Sequence, residues 1–91
     1  RLFIRERDRF YVDLQQIGYL RVIPSQANYF LCEVTSRFSS TKLVSLLLEH
    51  NLLLKDCSTK TGFDGRNYIR IAIRDTEDNN YLAENLKKLQ A

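Results

Sequence analysis

The stretch Asn67-Tyr68-Ile69-Arg70-Ile71-Ala72-Ile73-Arg74 decides the fold of this chain. Aromatic and β-branched residues dominate it, which is typical of a strand. Successive side chains of a strand point to opposite faces, so Arg70 shares one face with Tyr68 and Ala72, and the three isoleucines share the other. The pattern predicts a buried strand with one cation inside its apolar run.

The guanidinium of Arg70 needs an anion in such a position, because a buried charge is costly unless it is paired. One possible partner is a carboxylate of the protein itself, with Asp56 and Glu33 as the candidates on neighbouring strands. The other is the carboxylate or phosphate of a ligand, which the planar guanidinium can bind through two parallel hydrogen bonds. Structural ion pairs and ligand sites both produce such an arginine, so the residues alone leave both open.

Helical and extended patterns alternate on either side of this strand. Apolar residues recur at helical spacing near the start of the chain, and Gly18 follows them as a natural helix end. Thr76 is predicted to cap the last helix. The predicted elements are a helix over 2–17, strands over 20–23 and 28–35, a helix over 42–50, strands over 52–57 and 68–74, and a final helix from 76.

This order predicts an α+β fold, in which a helix is followed by β-β-α-β-β-α. We expect a small antiparallel or mixed sheet with its helices packed on one face, and the other face left for solvent or another domain. A length of 91 residues allows one domain, 1–91. Residues 58–66 contain two of the three glycines and predict an exposed loop.

Composition argues against several classes of function. The net charge is only +3 and the basic residues are scattered or interleaved with acids, so we expect no nucleic-acid partner. No run of apolar residues is long enough to cross a membrane, and no signal peptide is visible, so we expect a cytoplasmic protein without a membrane partner. Cys32, Cys57 and His50 lack the spacing of a metal site, and the cysteines are expected to be free thiols.

Six motifs stand in order along the chain: Arg9-Phe10-Tyr11, VIPSQANYFL at 22–31, LLKDC at 53–57, Gly62-Phe63, YIRIAIR at 68–74, and TEDN at 76–79. In this order they resemble the C-terminal small domain of fold-type I pyridoxal-phosphate-dependent aminotransferases. The subgroup most similar contains histidinol-phosphate aminotransferase and threonine-phosphate decarboxylase. The resemblance covers nearly the whole chain, and it implies that a large cofactor-binding domain belongs to a longer parent enzyme.

The resemblance also implies a role for three residues. Arg70 matches the arginine that binds the substrate's carboxylate in this family, and Lys55 stands where the family often has a second arginine. A lysine there keeps the charge but gives up the bidentate geometry. Asn28 matches the asparagine of the family's "AN" pair and is expected to line the substrate cleft. Substrate binding is thus assigned to Arg70, Lys55 and Asn28, with no catalytic, cofactor-binding or metal-binding residue in the chain.

The expected parent is an enzyme that transfers an amino group to or from an amino acid or amino-acid phosphate, with decarboxylation as the second reaction. By resemblance it uses pyridoxal 5'-phosphate, held by its own large domain, and forms a homodimer. The fragment alone lacks the Schiff-base lysine of the family and is expected to be inactive and cofactor-free. The alternative, from another functional class, is a free-standing α+β module with a ligand-binding or regulatory role.

Overall fold

The computed structural model describes residues 2–25, 27–58 and 66–90. Within them, three helices and four strands follow one another in the predicted order. Their bounds are α1 Leu2–Gln15, β1 Leu20–Ile23, β2 Tyr29–Val34, α2 Ser40–Leu48, β3 Lys55–Asp56, β4 Tyr68–Ala72 and α3 Thr76–Lys88. None of the described helices is both long and apolar enough to pass through a lipid bilayer.

The four strands form one sheet in the order β1-β2-β4-β3, and every neighbouring pair is antiparallel. The prediction of an α+β fold is therefore confirmed, with an antiparallel sheet. β4, the strand that contains Arg70, lies inside the sheet between β2 and β3. Its position fixes which side chains of the neighbouring strands can reach Arg70.

The two faces of the sheet differ in character. One face carries buried apolar side chains that alternate along the strands, such as Phe30 and Cys32 in β2 and Ile69 and Ile71 in β4. We call the opposite face the open face; from the pairing register and strand alternation it consists of Arg21, Ile23, Tyr29, Leu31, Glu33, Lys55, Tyr68, Arg70 and Ala72.

The helices supply the rest of the core from one side of the sheet. Fully buried side chains of all three helices join the strand residues in a single cluster, among them Phe10, Leu43 and Leu86. The rings of Phe10 and Phe30 lie 6.1 Å apart between centroids, which places α1 directly against β2. The predicted layer of helices on one sheet face is confirmed.

Contacts between the first and last helices tie the two ends of the described chain together. The hydroxyl of the buried Tyr19 donates to the carbonyl of Leu86 at 2.7 Å. Lys87 of α3 forms an ion pair of 2.7 Å with Asp13 of α1. The side chain of Gln90, just past α3, accepts a hydrogen bond from the backbone N–H of Gly18. Residues more than 65 positions apart in sequence therefore share one small region of the molecule.

The strand predicted over 52–57 is much shorter in the structure. Only Lys55 and Asp56 pair with β4, while Leu53 is 77% exposed. Three consecutive leucines are compatible with a strand, but a strand also needs a pairing partner, and residues 52–54 are not paired with β4. The predicted strand over 52–54 is thus wrong, although β3 stands where the chain order puts it.

Helix ends show smaller differences from the predictions. Asp75, not Thr76, caps α3, because its carboxylate accepts a hydrogen bond from the N–H of Asp78. Ser39 caps α2 by accepting from the N–H of Lys42, so the Ser-x-x-Lys spacing marks a helix start. Asn51 adopts a left-handed conformation with φ of 63° after this helix, which is typical of an asparagine that follows a helix end. The predicted loop over 58–66 lies largely outside the described residues, which omit 59–65.

Candidate functional site

Arg70 lies near the middle of the open face, and its side chain is exposed there. The alternation predicted for this strand is confirmed, because Ile69 and Ile71 are fully buried on the other face. The prediction that Arg70 itself is buried is wrong, since no helix covers the open face in the described part of the chain. Its guanidinium is therefore in contact with solvent and is available to an anion that approaches from this side.

The two carboxylates considered as internal partners of Arg70 are engaged elsewhere. Glu33 accepts a hydrogen bond of 2.9 Å from Nε of Arg21. Asp56 accepts hydrogen bonds of 2.8 and 2.5 Å from the hydroxyls of Ser40 and Thr41 at the start of α2. Neither one forms an ion pair with Arg70, so the interpretation of Arg70 as half of an internal salt bridge fails within residues 2–25, 27–58 and 66–90.

The environment of Asp56 keeps its carboxylate ionised. Partial burial works to raise its pKa, but hydrogen bonds from Thr41, Ser58 and Ser40 outweigh burial and lower the pKa from 3.8 to about 2. The carboxylate is thereby committed to the start of α2 on the helix side of the sheet. Asp56 therefore has a structural role on the opposite side of the sheet from the open face.

The guanidinium of Arg70 does have one neighbour within its own chain, the ring of Tyr29. Its central carbon, Cζ, lies 4.4 Å from the ring centroid. The register explains the contact, because Arg70 pairs with Leu31 and Tyr29 follows diagonally in β2 on the same face. A cation over an aromatic face is attracted by the ring quadrupole.

Lys55 lies directly across from Arg70. The two residues are paired in the antiparallel register of β3 and β4, and both side chains are exposed. Side chains at directly paired positions stand about 5 Å apart at Cβ, so two cations share one small area of the open face. The structure therefore brings together two of the three residues predicted to bind substrate.

Asn28, the third predicted residue, occupies a different position. Its backbone carbonyl accepts a hydrogen bond of 2.9 Å from the N–H of Ile73, which continues the pairing of β2 and β4 by one step. Its side chain is exposed, but it does not line the cavity beside Arg70. Asn28 lies next to Tyr29 in sequence, at the end of β2 where β4 finishes.

A cavity of about 260 Å³ opens beside Arg70. Its wall is largely apolar, with the cation at one side and the thiol of the buried Cys57 at another. The lining residues are Ile23, Pro24, Ser25, Tyr29, Leu31, Cys57 and Arg70. An apolar wall with one charged group is the usual makeup of a site that orients a small ligand by its charged end.

A larger groove of about 400 Å³ lies between segment 51–54 and α3. Arg74 and Asp78 border it, together with the exposed leucine of that segment. The polar side chain deepest in the molecule here, Asn79, is fully engaged with Arg74 and Glu6. The cation of this groove, Arg74, shares the lining with the carboxylate of Asp78, whereas the described residues that line the smaller cavity include Arg70 and no acid.

Comparison with known proteins identifies the family of this chain. The family model for aminotransferases of class I and II matches residues 1–86. The chain belongs to this aminotransferase family. Histidinol-phosphate aminotransferase of Methanococcus aeolicus is 35% identical over 86 residues, which are 94% of this chain and 23% of that protein. L-serine phosphate decarboxylase of Campylobacter jejuni is 33% identical, over 94% of this chain and 22% of its own length.

Solved structures of the family share the fold. The histidinol-phosphate aminotransferase from Clostridium acetobutylicum superposes with a TM-score of 0.89 at 31% identity, over 97% of this chain and 26% of that chain. A decarboxylase from Sulfurospirillum multivorans gives a TM-score of 0.85 at 34% identity, over 96% and 25%. The chain therefore spans about a quarter of the length of the family members it matches.

Lys55 and Lys87 are not arranged as a site for pyridoxal phosphate would require. Such a site needs a lysine for the Schiff base and an acid for the pyridine nitrogen. Lys55 faces the open side, but Asp56 next to it is bound to α2 on the helix side. Lys87 is paired with Asp13. Residues 2–25, 27–58 and 66–90 also hold no group of three metal-ligating side chains.

Sequence reasoning missed Tyr29 and Arg21 as members of the site's surroundings. Both belong to strands that were predicted, but their neighbours depend on the register between strands far apart in sequence. The only signal in the sequence was the alternation of side chains along a strand, which places Tyr29 and Leu31 on one face of β2. This alternation identifies the face of the strand, whereas the contact with Arg70 can be predicted only when the pairing register of β2 and β4 is known.

Proposed function

We propose that residues 1–91 are the C-terminal small domain of a longer pyridoxal-phosphate-dependent enzyme, and that Arg70 binds the acidic group of its substrate. The observation that carries the proposal is an exposed guanidinium on the open face, with no carboxylate partner in the described chain and a second cation paired across from it. Family membership and the quarter-length match support the assignment as one part of a larger enzyme.

The chemistry of the two cations sets their roles. The guanidinium of Arg70 presents donors in a planar fork that matches a carboxylate or a phosphate. Lys55 contributes a compact point charge beside it, which adds attraction without a second fork. Together they suit a substrate with a concentrated negative end, namely an amino acid or an amino-acid phosphate. Asn28 lies outside the cavity beside Arg70, and its amide is proposed to face the substrate cleft of the complete enzyme from the end of β2.

In this proposal the small domain binds and orients, and the large domain carries out the chemistry. The cofactor supplies the electron sink for reactions at the amino-bearing carbon, and it is held by the large domain. Fixing the acidic end of the substrate reduces the freedom of the reacting carbon, which favours reaction at that carbon. The proposed reaction is amino transfer, with decarboxylation as the alternative, in a cytoplasmic homodimer. The isolated chain is proposed to be inactive.

Replacing Arg70 in the full-length enzyme tests the proposal. Arg70→Ala removes charged hydrogen bonds worth about 1.5–3 kcal/mol, so KM for the amino substrate is expected to rise about ten- to a hundredfold. Arg70→Lys should give an intermediate KM, because it keeps the charge and loses the fork. Absorbance of the bound cofactor should not change in either variant.

Arg5→Ala is the matched control, because it removes the same charge from the exposed side of α1. Its steady-state kinetics should equal those of the parent enzyme. If Arg70→Ala leaves kcat/KM unchanged while the cofactor is fully bound, Arg70 does not bind the substrate and the proposed function is wrong.

A further inference from the structure

Two arginines of the open face, Arg21 and Arg70, make different kinds of contact with the rest of the chain. Arg21 uses its N–H groups on the protein itself, donating from Nε to Glu33 at 2.9 Å and from Nη2 to the hydroxyl of Tyr68 at 3.1 Å. Arg70 makes no side-chain hydrogen bond within the described residues, and its Cζ lies over the ring of Tyr29 at 4.4 Å from the centroid. The contact of Arg70 therefore consumes none of its hydrogen-bond donors.

This difference matters for a ligand. An arginine side chain has four rotatable bonds, and holding it in one orientation costs about 2 kcal/mol of rotamer entropy. A partner that accepts hydrogen bonds would meet that cost but would occupy the edge that the ligand needs. A ring against the face of the guanidinium orients the group and leaves its edge available.

Tyr29 itself is well placed for this task. It is half-buried in β2 and lines the cavity beside Arg70 together with Ile23 and Pro24. Within the described residues, none of the hydrogen bonds found involves the Tyr29 hydroxyl. The ring, rather than the hydroxyl, makes the contact with Arg70.

We propose that Tyr29 is a positioning residue that holds the Arg70 guanidinium flat on the open face, with its donor edge presented to the acidic group of the substrate. The inference rests on the proposed function of Arg70 and deepens it. Tyr29 acts through Arg70 and makes no hydrogen bond to the substrate. Its effect is on substrate binding, so it should appear in KM and not in kcat.

A double-mutant cycle in the full-length enzyme tests the proposal. Tyr29→Leu should raise KM for the amino substrate about three- to tenfold, the size of a cation–π contact at a partly exposed position, with kcat changed less than about twofold. Tyr29→Phe keeps the ring and should stay within about twofold of the parent in KM. Tyr29→Thr removes the ring with a residue that favours strands, and should reproduce the result of Tyr29→Leu.

The same substitution is then made in an enzyme that already carries Arg70→Ala. If Tyr29 acts through Arg70, adding Tyr29→Leu should raise KM by less than about twofold further, because the group that it positions is gone. Circular dichroism and cofactor absorbance of each variant confirm that it is folded and loaded.

Each outcome separates the two proposals. If Tyr29→Leu and Tyr29→Thr bind substrate as the parent does while Arg70→Ala is impaired, only the positioning role is overturned. If Tyr29→Leu has its full effect in the Arg70→Ala background, the ring acts independently of Arg70 and the inference is again overturned. If Arg70→Ala itself has no effect on KM, the proposed function of Arg70 fails, and the positioning role fails with it.

Discussion

Asn79 shows at the scale of one residue how a buried polar side chain can organise its surroundings. It is 1% exposed, at the start of α3. Its amide oxygen accepts from the N–H of Arg74 at 3.0 Å, and its amide nitrogen donates to the carbonyl of Arg74 at 2.9 Å and to Glu6 at 2.7 Å. A single side chain thus fixes the turn after β4 and links it to α1.

Removing this amide should destabilise the protein measurably. Asn79→Ala leaves the N–H of Arg74 and a carboxylate oxygen of Glu6, both in part-buried hydrogen bonds, without this partner, and an unsatisfied buried group costs about 1–3 kcal/mol. We expect the free energy of unfolding in urea to fall by about 2–3 kcal/mol. Asn80→Ala is the control one position along the helix, where the side chain is exposed, and it should change stability by less than about 0.5 kcal/mol. Equal stabilities of the two variants would contradict this account.

At the scale of a single element, the start of α2 shows how residues from other parts of the chain supply hydrogen-bond acceptors to a helix. Ser39 caps the helix from within its own sequence. Two further groups come from outside, because Asp56 of β3 accepts from Ser40 and Thr41, and the side-chain oxygen of Asn67 accepts from the N–H of Ser40 at 2.9 Å. Helix starts leave backbone N–H groups without partners, and here the sheet supplies part of what is missing.

Ser39→Ala should therefore cost about 1 kcal/mol of stability, the usual loss for a capping serine. Thermal unfolding followed by circular dichroism measures the change. Ser45→Ala, at an exposed position inside the same helix, should have the opposite sign and stabilise slightly, by up to about 0.5 kcal/mol, because alanine has the higher helix propensity. A Ser39→Ala protein as stable as the parent would show that the cap is dispensable.

Local patterns predicted these elements well but not their pairing. Periodicity and cap residues placed all the described helices and strands in order, since those signals act over a few residues. The start of β3 was predicted three residues too early, because Leu52 to Leu54 have strand-compatible side chains but no strand partner. The placement of Lys55 and Tyr29 around Arg70 escaped it as well, because register depends on packing across the whole sheet.

At the scale of the whole molecule, two carboxylates make the free energy of unfolding depend on pH. Glu6 has its pKa lowered from 4.5 to about 2, chiefly by the hydrogen bond from Arg9, with burial opposing it and Asn79 and Thr76 assisting. Asp56 has its pKa lowered from 3.8 to about 2. Both are ionised in the folded state at pH values where an unfolded chain already binds protons. Folding is therefore favoured by both groups above their ordinary pKa values.

The sign of the pH dependence follows. Stability contributed by Glu6 and Asp56 is fully present above about pH 5 and is lost as the pH falls from about 4.5 towards 2. Urea unfolding at a series of pH values should show a falling midpoint across this window. Glu6→Gln should be less stable than the parent at neutral pH and should lose less stability on acidification. A parent midpoint that stays constant between pH 5 and 2 would contradict the assignment.

The packing of α1 against α3 has a consequence for how the protein is synthesised. Tyr19 and Leu86 are 67 positions apart, and α1 packs directly against α3. On the ribosome, α1 must wait with its apolar side uncovered until α3 has been made. Such long-range closure also slows the search for the native state, because the chain must lose entropy before the contact can form. The nascent polypeptide is thus exposed to aggregation until α3 has been synthesised.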